Sequence, residues 1–189
     1  MSNCLLTHGR AEVCKEFVGG IKSIYFINYG EMGAITPGAG DLSDEIDSVA
    51  GTFDLFKYDL KGANSFEQTV TSSRENGTTF VEQTLTFTIK GLDATTTKQM
   101  KLLAWGRPHV VIKTNANNFF LAGLEHGMDV TTGLVSNGTA MGDLSGYTMT
   151  LVGQETLAAN FCDVDVTPGN QVTDLELQAV FTAANIVKV

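Results

Sequence analysis

The side chains best suited to acid–base chemistry follow a glycine at position 123. Glu125 and His126 are adjacent, and Asp129 lies close behind them. An imidazole beside a carboxylate is the pair that general acid–base and nucleophilic catalysis use, because the acid orients and charges the ring. The sequence has no G-x-S-x-G motif to present a nucleophilic serine. A catalytic pair and a hydrogen-bonded loop histidine are both open, and the missing nucleophile favours the second.

Two other groups contain residue types that bind metals. Cys4, His8 and Cys14 offer three zinc ligands, but a structural zinc site uses four ligands in paired short spacings. Together with Cys162 the cysteines form an odd set, which favours reduced, unpaired thiols. The segment 41–47 resembles a calcium loop but lacks the EF-hand glycine and terminal glutamate; its acids are Asp41, Asp44, Glu45 and Asp47. We therefore predict no enzymatic activity, no metal and no cofactor.

The composition argues against several classes of function. The chain has 12 Lys and Arg against 21 Asp and Glu, a net charge of −9. Tight nucleic-acid binding needs clustered basic side chains, and the densest group is Lys98, Lys101 and Arg107. Neither the P-loop motif nor the dinucleotide-binding motif occurs. No apolar run approaches the roughly 20 residues that span a membrane, so we expect no membrane partner. The first residues lack the layout of a signal peptide, which predicts folding in the cytoplasm.

The length and the low charge indicate how the surface is built. A chain of 189 residues predicts one domain, spanning 1–189. Only 17% of the residues are charged, whereas Thr contributes 23 residues and Gly 20. A surface with so few charges must be covered by neutral polar groups. We therefore expect a β-rich fold whose surface is partly buried in an assembly.

Alternating apolar and polar side chains predict a mainly β fold. Strands are expected at 21–29, 52–61, 64–74, 78–90, 109–114, 119–124, 147–152 and 171–182. The one clear helix is predicted over 94–105, with Asp93 as its N-cap and Gly106 at its end. This order favours an antiparallel β-sandwich or barrel with one packed helix. Residues 1–20 are expected to form an N-terminal arm, and 30–51 a long acidic, glycine-rich loop.

The most regular feature is a predicted hairpin over residues 64–90. Its centre, Asn76-Gly77, is the dipeptide that a type I′ turn requires, since both residues tolerate positive φ. The second strand has a dry face, with Val81 and Leu85, and a wet face rich in threonine. Six residues of the hairpin define the wet face: Glu67, Thr69, Thr71, Glu82, Thr84 and Thr86. A strand this long either extends from the body or pairs with copies of itself.

Aromatic side chains are candidates for contacts between subunits. Trp105, at the end of the predicted helix, is expected to anchor the core or a subunit interface rather than to stack on a ligand. For Phe80, Phe119 and Phe120, a core position and a subunit contact are equally open.

Three stretches of the sequence have a common character: GGIKSIYFINY at 19–29, the two strands of the hairpin at 66–88, and GLEHGM at 123–128. With these stretches the chain resembles small virion structural proteins of tailed bacteriophages, in particular those of crAss-like phages that infect Bacteroidetes. Proteins of the tail-tube, tail-completion and connector-ring type combine a β-sandwich, a flanking helix and a long projecting hairpin. The resemblance implies this fold and self-assembly into a ring, hexameric or dodecameric.

The resemblance also implies a function and a location. The chain would be a non-enzymatic protein of the virion, assembled in the host cytoplasm into a tail or neck ring or tube that lines the DNA passage. The wet face of the hairpin would line the channel, and DNA would pass without sequence-specific binding because basic groups are few. The alternative is a capsid decoration or head-fibre component with outward-pointing loops, present as a trimer or a monomer.

The same resemblance assigns the contacts between subunits. The loop 30–51 would reach the next subunit or ring, and its contact residues would be Pro37, Asp41, Leu42, Asp44 and Ile46. Asn76 and Gly77 would form the hairpin tip. Neighbouring tail or neck proteins would be the other partners.

Overall fold

A computed structural model of the chain describes residues 9–12, 15, 18–39, 44–164, 177–178, 180–181 and 184–188. Within these ranges the chain forms twelve strands and one long helix, which confirms the predicted mainly β fold. The elements are β1 (Ile21–Ile27), β2 (Ile35–Pro37), β3 (Ile46–Val49), β4 (Asp54–Asp59), β5 (Ser65–Ser73), β6 (Thr78–Lys90), α1 (Ala94–Trp105), β7 (His109–Thr114), β8 (Phe119–Ala122), β9 (Asp129–Ser136), β10 (Gly146–Glu155), β11 (Asn160–Phe161) and β12 (Asn185–Lys188).

The strands form three sheets. The largest has six strands in the order β11-β8-β7-β1-β4-β12, and the second has four in the order β5-β6-β10-β9. Strands β2 and β3 form a separate two-stranded sheet. Neighbouring strands are antiparallel, except that β12 pairs with β4 in the parallel sense, with Asn185 opposite Asp54.

The six-stranded sheet lies in the middle of the molecule, and both of its faces are buried. One face packs against the four-stranded sheet and α1, through Ile24, Phe26, Val110, Ile112, Leu85, Phe87, Tyr147, Met149, Leu151 and Met100. The other face packs against the β2–β3 sheet and the segment around 177–184, through Tyr25, Ile27, Val111, Leu121, Ile46, Val49, Leu177, Val180 and Phe181. Burial on both faces explains why β1 and β7 read as nearly continuous apolar runs.

The hairpin of β5 and β6 is confirmed, but its turn differs from the prediction. Ser73 pairs with Thr78, so the turn has four residues, and Gly77 alone of the Asn-Gly pair has a positive φ, +63°. A type I′ turn needs positive φ at both central residues, which excludes it here. The pairing of β6 with β10 ends at Val81, opposite Glu155. The last three pairs of the hairpin and its turn therefore project beyond the sheet.

The predicted loop at 30–51 is wrong in part, because the segment contains β2 and β3. Its apolar residues Ile46 and Val49 are buried against the six-stranded sheet. Ile46 is 2% exposed, so its side chain belongs to the core and not to a subunit contact. Pro37 and Asp44 are exposed. Asp41 and Leu42 lie outside the described residues.

Two other segments differ from the prediction. Leu177, Gln178 and Val180 have helical backbone, and the Phe181 N–H donates to the Leu177 carbonyl, so this part of the predicted strand at 171–182 is a helical turn. The rest of that strand lies outside the described residues. Strand β9 was not predicted from the sequence. Most of it lies in a glycine-containing stretch that begins at residue 131.

The helix α1 has the predicted ends. The Asp93 carboxylate accepts hydrogen bonds from the Thr95 and Thr96 N–H groups, at 3.0 and 3.1 Å, as an N-cap does. These bonds also lower the pKa of Asp93. Met100 is buried under the helix, but Trp105 is 92% exposed, so it does not anchor the core.

The aromatic candidates divide between core and surface. Phe119 is buried in the core, and Phe120 is half-buried with its ring centroid 4.4 Å from that of Phe161. Phe80 is half-buried near the hairpin tip. No helix in the described part of the chain has the length and apolar character needed to cross a bilayer.

The N-terminal arm is described only in part. Residues 9–12 and 18–20 are exposed and lie outside helices and strands. Asn115 fixes the end of the arm, since its side-chain amide donates to the Gly19 carbonyl at 2.9 Å. Cys4, His8 and Cys14 lie outside the described residues.

Candidate functional site

The acid–base candidates lie in a tight loop between β8 and β9, residues 123–128. Gly123 and Gly127 open and close the bend with positive φ of +67° and +72°. A Cβ on Gly127 would lie 2.6 Å from the Arg107 carbonyl oxygen, so this position requires glycine. The Gly127 N–H donates to the Gly123 carbonyl at 3.2 Å, which closes the loop on itself. The bend holds Glu125 and His126 at the surface.

The loop is bound to β10 by a buried carboxylate. Glu155, 3% exposed, ends β10 on the face that carries Tyr147 and Leu151. Its side chain accepts the backbone N–H of Glu125 at 3.1 and 3.2 Å and that of His126 at 2.8 Å. The His126 Nδ1 lies 3.3 Å from the Glu155 Oε2. Glu155 is therefore the carboxylate that pairs with the imidazole.

Asp129, the third member of the acid–imidazole cluster identified from the sequence, lies close to Arg107 rather than pairing with His126. Asp129 lies at the start of β9, and its carboxylate is 4.0 Å from the Arg107 Nε. The register explains the difference: Asp129 is opposite Val152 on β10, on the outer side of the sheet from Glu155. The sequence analysis missed Glu155, which is distant along the chain and not part of any motif.

A cation and two rings pack behind the loop. The Arg107 guanidinium donates from Nε to the His126 carbonyl at 2.8 Å and lies 4.9 Å from the centroid of the Tyr29 ring. Tyr29 stacks on His109, with ring centroids 5.1 Å apart, and its hydroxyl donates to the Glu125 carbonyl at 3.0 Å. These contacts fix the backbone carbonyls of the loop rather than a substrate.

Two buried polar side chains complete the support. His109 donates from Nδ1 to the Gly123 carbonyl, and burial lowers its pKa, although that hydrogen bond opposes the shift. Gln83, on β6, accepts the Gly123 N–H at 2.9 Å and donates to the Leu157 carbonyl at 3.4 Å. The loop is thus connected to both large sheets.

The arrangement provides an acid–imidazole pair without a nucleophile. A groove of about 460 Å³ borders His126, Arg107, Asp129 and Thr131. Within the described part of the chain, the hydrogen-bond partner of the His126 ring is the Glu155 carboxylate and not a hydroxyl or thiol. Cys162 is buried, which raises the pKa of its thiol to about 12, so it stays protonated at neutral pH. Nucleophilic catalysis has no support here.

A second candidate is the outer face of the four-stranded sheet. The predicted wet-face residues share this face: Glu67 is opposite Thr84, and Thr69 is opposite Glu82. Strand β10 extends it, because Thr150 is paired with Thr86 and Thr148 with Thr88. The hydroxyls of these two threonine pairs are 3.2 and 3.3 Å apart. The face is therefore broad, polar and mostly uncharged, with Glu67 and Glu82 among its side chains, which are exposed or half-buried.

The edge strands of this sheet, β5 and β9, have no second neighbouring strand among the described residues. The helix α1 lies close to β9. Apolar side chains are exposed on both edges: Val70 on β5 is 63% exposed, and Leu134 and Val135 on β9 are 57% and 59% exposed. Val70 and Val135 lie on the core-facing side, since they are paired with Val81 and Tyr147.

An apolar cleft lies between α1 and the six-stranded sheet. It has a volume of about 370 Å³ and is lined mainly by aromatic and aliphatic side chains, among them Phe26, Phe56, Tyr58 and Leu103. No ionisable pair lies inside it; its one cationic lining residue is Arg107, which is engaged by the loop at 123–128.

Comparisons of the chain with protein-family models, with curated proteins and with solved structures find no match. The function must therefore be argued from the surfaces of the chain itself.

Proposed function

We propose that this chain is a non-enzymatic structural protein of a tailed-bacteriophage virion, which assembles with copies of itself into a ring or tube in the tail or neck that lines the DNA passage. The observation that carries the proposal is the four-stranded sheet, whose edge strands pair with no further strand among the described residues and whose outer face is polar and mostly uncharged.

The edges are suited to pairing with other copies. Monomeric proteins usually protect a sheet edge with lysine, proline or a very short strand. Here β5 has nine residues and β9 has eight, and neither contains lysine or proline. Their exposed valines, Val70 and Val135, lie on the core-facing side of the sheet and would be covered when another sheet continues past the edge. Because the two edges differ, pairing one with the other repeats head to tail. Such contacts form a closed ring when the rotation between copies closes, and an open filament when it does not.

The outer face is suited to a passage for DNA. Its charged side chains on β5 and β6 are Glu67, Glu82 and, at the far end, Lys90. Hydroxyl groups hydrate well and do not bind phosphate as lysine and arginine do, and the two glutamates repel it. A channel lined by this face would let DNA slide without being trapped.

The loop at 123–128 supports the non-enzymatic part of the proposal. The contacts of His126, Glu155 and Arg107 are with backbone groups of the loop, with one another, with the Tyr29 ring and with Asp129. These contacts hold the loop in place and, among the described residues, bring no hydroxyl or thiol into hydrogen-bond contact with the imidazole.

The direct test is the assembly state of the purified protein. Native mass spectrometry and negative-stain microscopy should show rings or tubes with a central hole and six or twelve copies per ring. Compact trimers or monomers would contradict the proposal and favour a capsid decoration or head-fibre component.

Substitution at the edges tests the mode of assembly. Val70→Lys and Val135→Lys place a charge at each sheet edge and should give folded, monomeric protein. Val18→Lys is the matched control, because Val18 is an exposed apolar residue that precedes β1 and lies outside the four-stranded sheet. Rings that persist in both edge variants would exclude edge pairing.

A further inference from the structure

We propose that Glu125, His126 and Glu155 form a binding site for a divalent transition-metal ion of the zinc type. The ligand atoms of the three side chains all lie within 4.8 Å of one another. Imidazole nitrogen and carboxylate oxygen are the ligands that Zn²⁺ takes, together with thiolate. The sequence predicted no metal site. Nothing in it connected the buried Glu155 with Glu125 and His126.

Two of the three ligand atoms already have the separation that a shared ion requires. The His126 Nδ1 and the Glu155 Oε2 are 3.3 Å apart. With zinc–ligand bonds of about 2.0–2.2 Å, an ion bound to both atoms would subtend an angle of roughly 100°, close to tetrahedral. A pair of ligands at this separation binds an ion without movement of the backbone.

The support around these ligands is rigid where a metal site needs it. The Glu155 carboxylate is buried and accepts the backbone N–H groups of Glu125 and His126, which fixes its orientation. Ordered partners of this kind hold metal-binding carboxylates in place. Glu125 is exposed, so its side chain has room to turn toward the ion as a third ligand.

The surroundings leave space for the remaining coordination. The groove of about 460 Å³ borders His126 but neither Glu125 nor Glu155. Glu125 and His126 are exposed, so water can reach a fourth position from solvent. Asp129 also borders this groove, but its carboxylate faces Arg107 at 4.0 Å. We therefore assign the ligands as Glu125, His126 and Glu155, without Asp129.

The site predicts that the ion stabilises the fold. An ion bound by Glu155 on β10 and by two residues of the 123–128 loop connects these elements in the folded state only, so it raises the unfolding temperature.

Titration of the full chain with Zn²⁺, followed by isothermal calorimetry and thermal unfolding, tests the site. The parent background should be Cys4→Ser, His8→Gln and Cys14→Ser, so that these residues do not contribute. One Zn²⁺ per chain and a higher unfolding temperature are expected. His126→Gln or Glu125→Gln should weaken binding by about tenfold or more.

The matched control is Glu67→Gln, which removes an exposed carboxylate from the outer face of the four-stranded sheet and should leave the affinity unchanged. Equal affinity in His126→Gln, Glu125→Gln and the background would overturn the proposal. Zinc binding that disappears in the background itself would overturn it too, because the ligands would then be the N-terminal residues.

Discussion

At the scale of single residues, Glu155 has the largest structural role that the sequence did not indicate. It is a buried carboxylate at the end of β10. Its oxygens accept the backbone N–H groups of Glu125 and His126 in the loop between β8 and β9. The loop residues themselves were found from the sequence, because Gly123, Glu125, His126 and Gly127 are neighbours. The signal for Glu155 lay in the alternation of β10, which places it on the same face as Tyr147, Met149 and Leu151. An acid on an otherwise apolar face indicates a buried partner.

Replacing Glu155 with glutamine tests this role. The amide keeps the size of the side chain but loses the charge and one acceptor, so a buried N–H of the loop is left with a weaker partner. We expect the free energy of unfolding to fall by about 2 kcal/mol, as for a lost hydrogen bond to a charged group. Urea unfolding measures it. Glu67→Gln, an exposed change of the same type, should alter the stability by less than about 0.5 kcal/mol.

His109 predicts a dependence of stability on pH. Burial lowers its pKa in the folded state below the value of about 6.5 in the unfolded chain. Below pH 6.5 the unfolded state therefore binds more protons, and the free energy of unfolding falls as the pH falls. His109→Asn keeps a donor for the Gly123 carbonyl and should reduce this loss between pH 7 and pH 5. Identical pH profiles for the two proteins, measured by urea unfolding, would contradict the assignment.

At the scale of elements, strands with strong periodicity were predicted well and short ones were not. Strand β6 alternates over its whole length, and its buried residues Val81, Gln83, Leu85 and Phe87 are the expected ones. Strands β2 and β3 have three and four residues, and they are held by the core beneath Ile46 and Val49 rather than by their own pattern. Strand β9 lacks an apolar face because it is exposed along most of its length.

Removing the projecting end of the β5–β6 hairpin should impair assembly without preventing folding. Replacing residues 71–80 with Asn-Gly leaves Val70 and Val81 joined by a two-residue turn that suits a hairpin. Since β10 pairs with β6 only as far as Val81, the free energy of unfolding should change by no more than about 1 kcal/mol. Under the proposed function, the shortened protein should remain folded and form rings poorly. Unchanged assembly in negative-stain images would show that the tip does not join subunits.

At the scale of the whole molecule, the layers decide which surfaces remain for partners. The six-stranded sheet is covered on both faces, so its residues serve the fold. The four-stranded sheet is covered on one face, and in the described part of the chain its edge strands β5 and β9 pair with no further strand. The general sandwich could be predicted from the order of strands and helix. The layer formed by the β2–β3 sheet with Leu177, Val180 and Phe181 could not be predicted, because these parts are distant from each other along the chain.

Salt provides a test of what holds the assembly together. Edge pairing depends on backbone hydrogen bonds and on apolar contacts, which salt does not screen, whereas the net charge of −9 makes copies repel one another. We therefore expect rings to persist, or to become more abundant, when NaCl is raised to about 1 M. Sedimentation velocity at low and high salt measures the distribution. Dissociation at high salt would indicate that ion pairs, rather than strand edges, join the subunits.

The parallel pairing of β12 with β4 has a consequence for how the protein folds. It brings together Asn185 and Asp54, whose side chains are hydrogen-bonded across a separation of 131 residues. Contacts of such long range form slowly, because the intervening chain must be ordered first. Until β12 pairs with β4, the backbone N–H and C=O groups on that edge of β4 are unpaired. An unfolded second copy can then pair with them instead. Refolding yield should therefore fall steeply with protein concentration, and dilution or a chaperone that shields β4 should restore it.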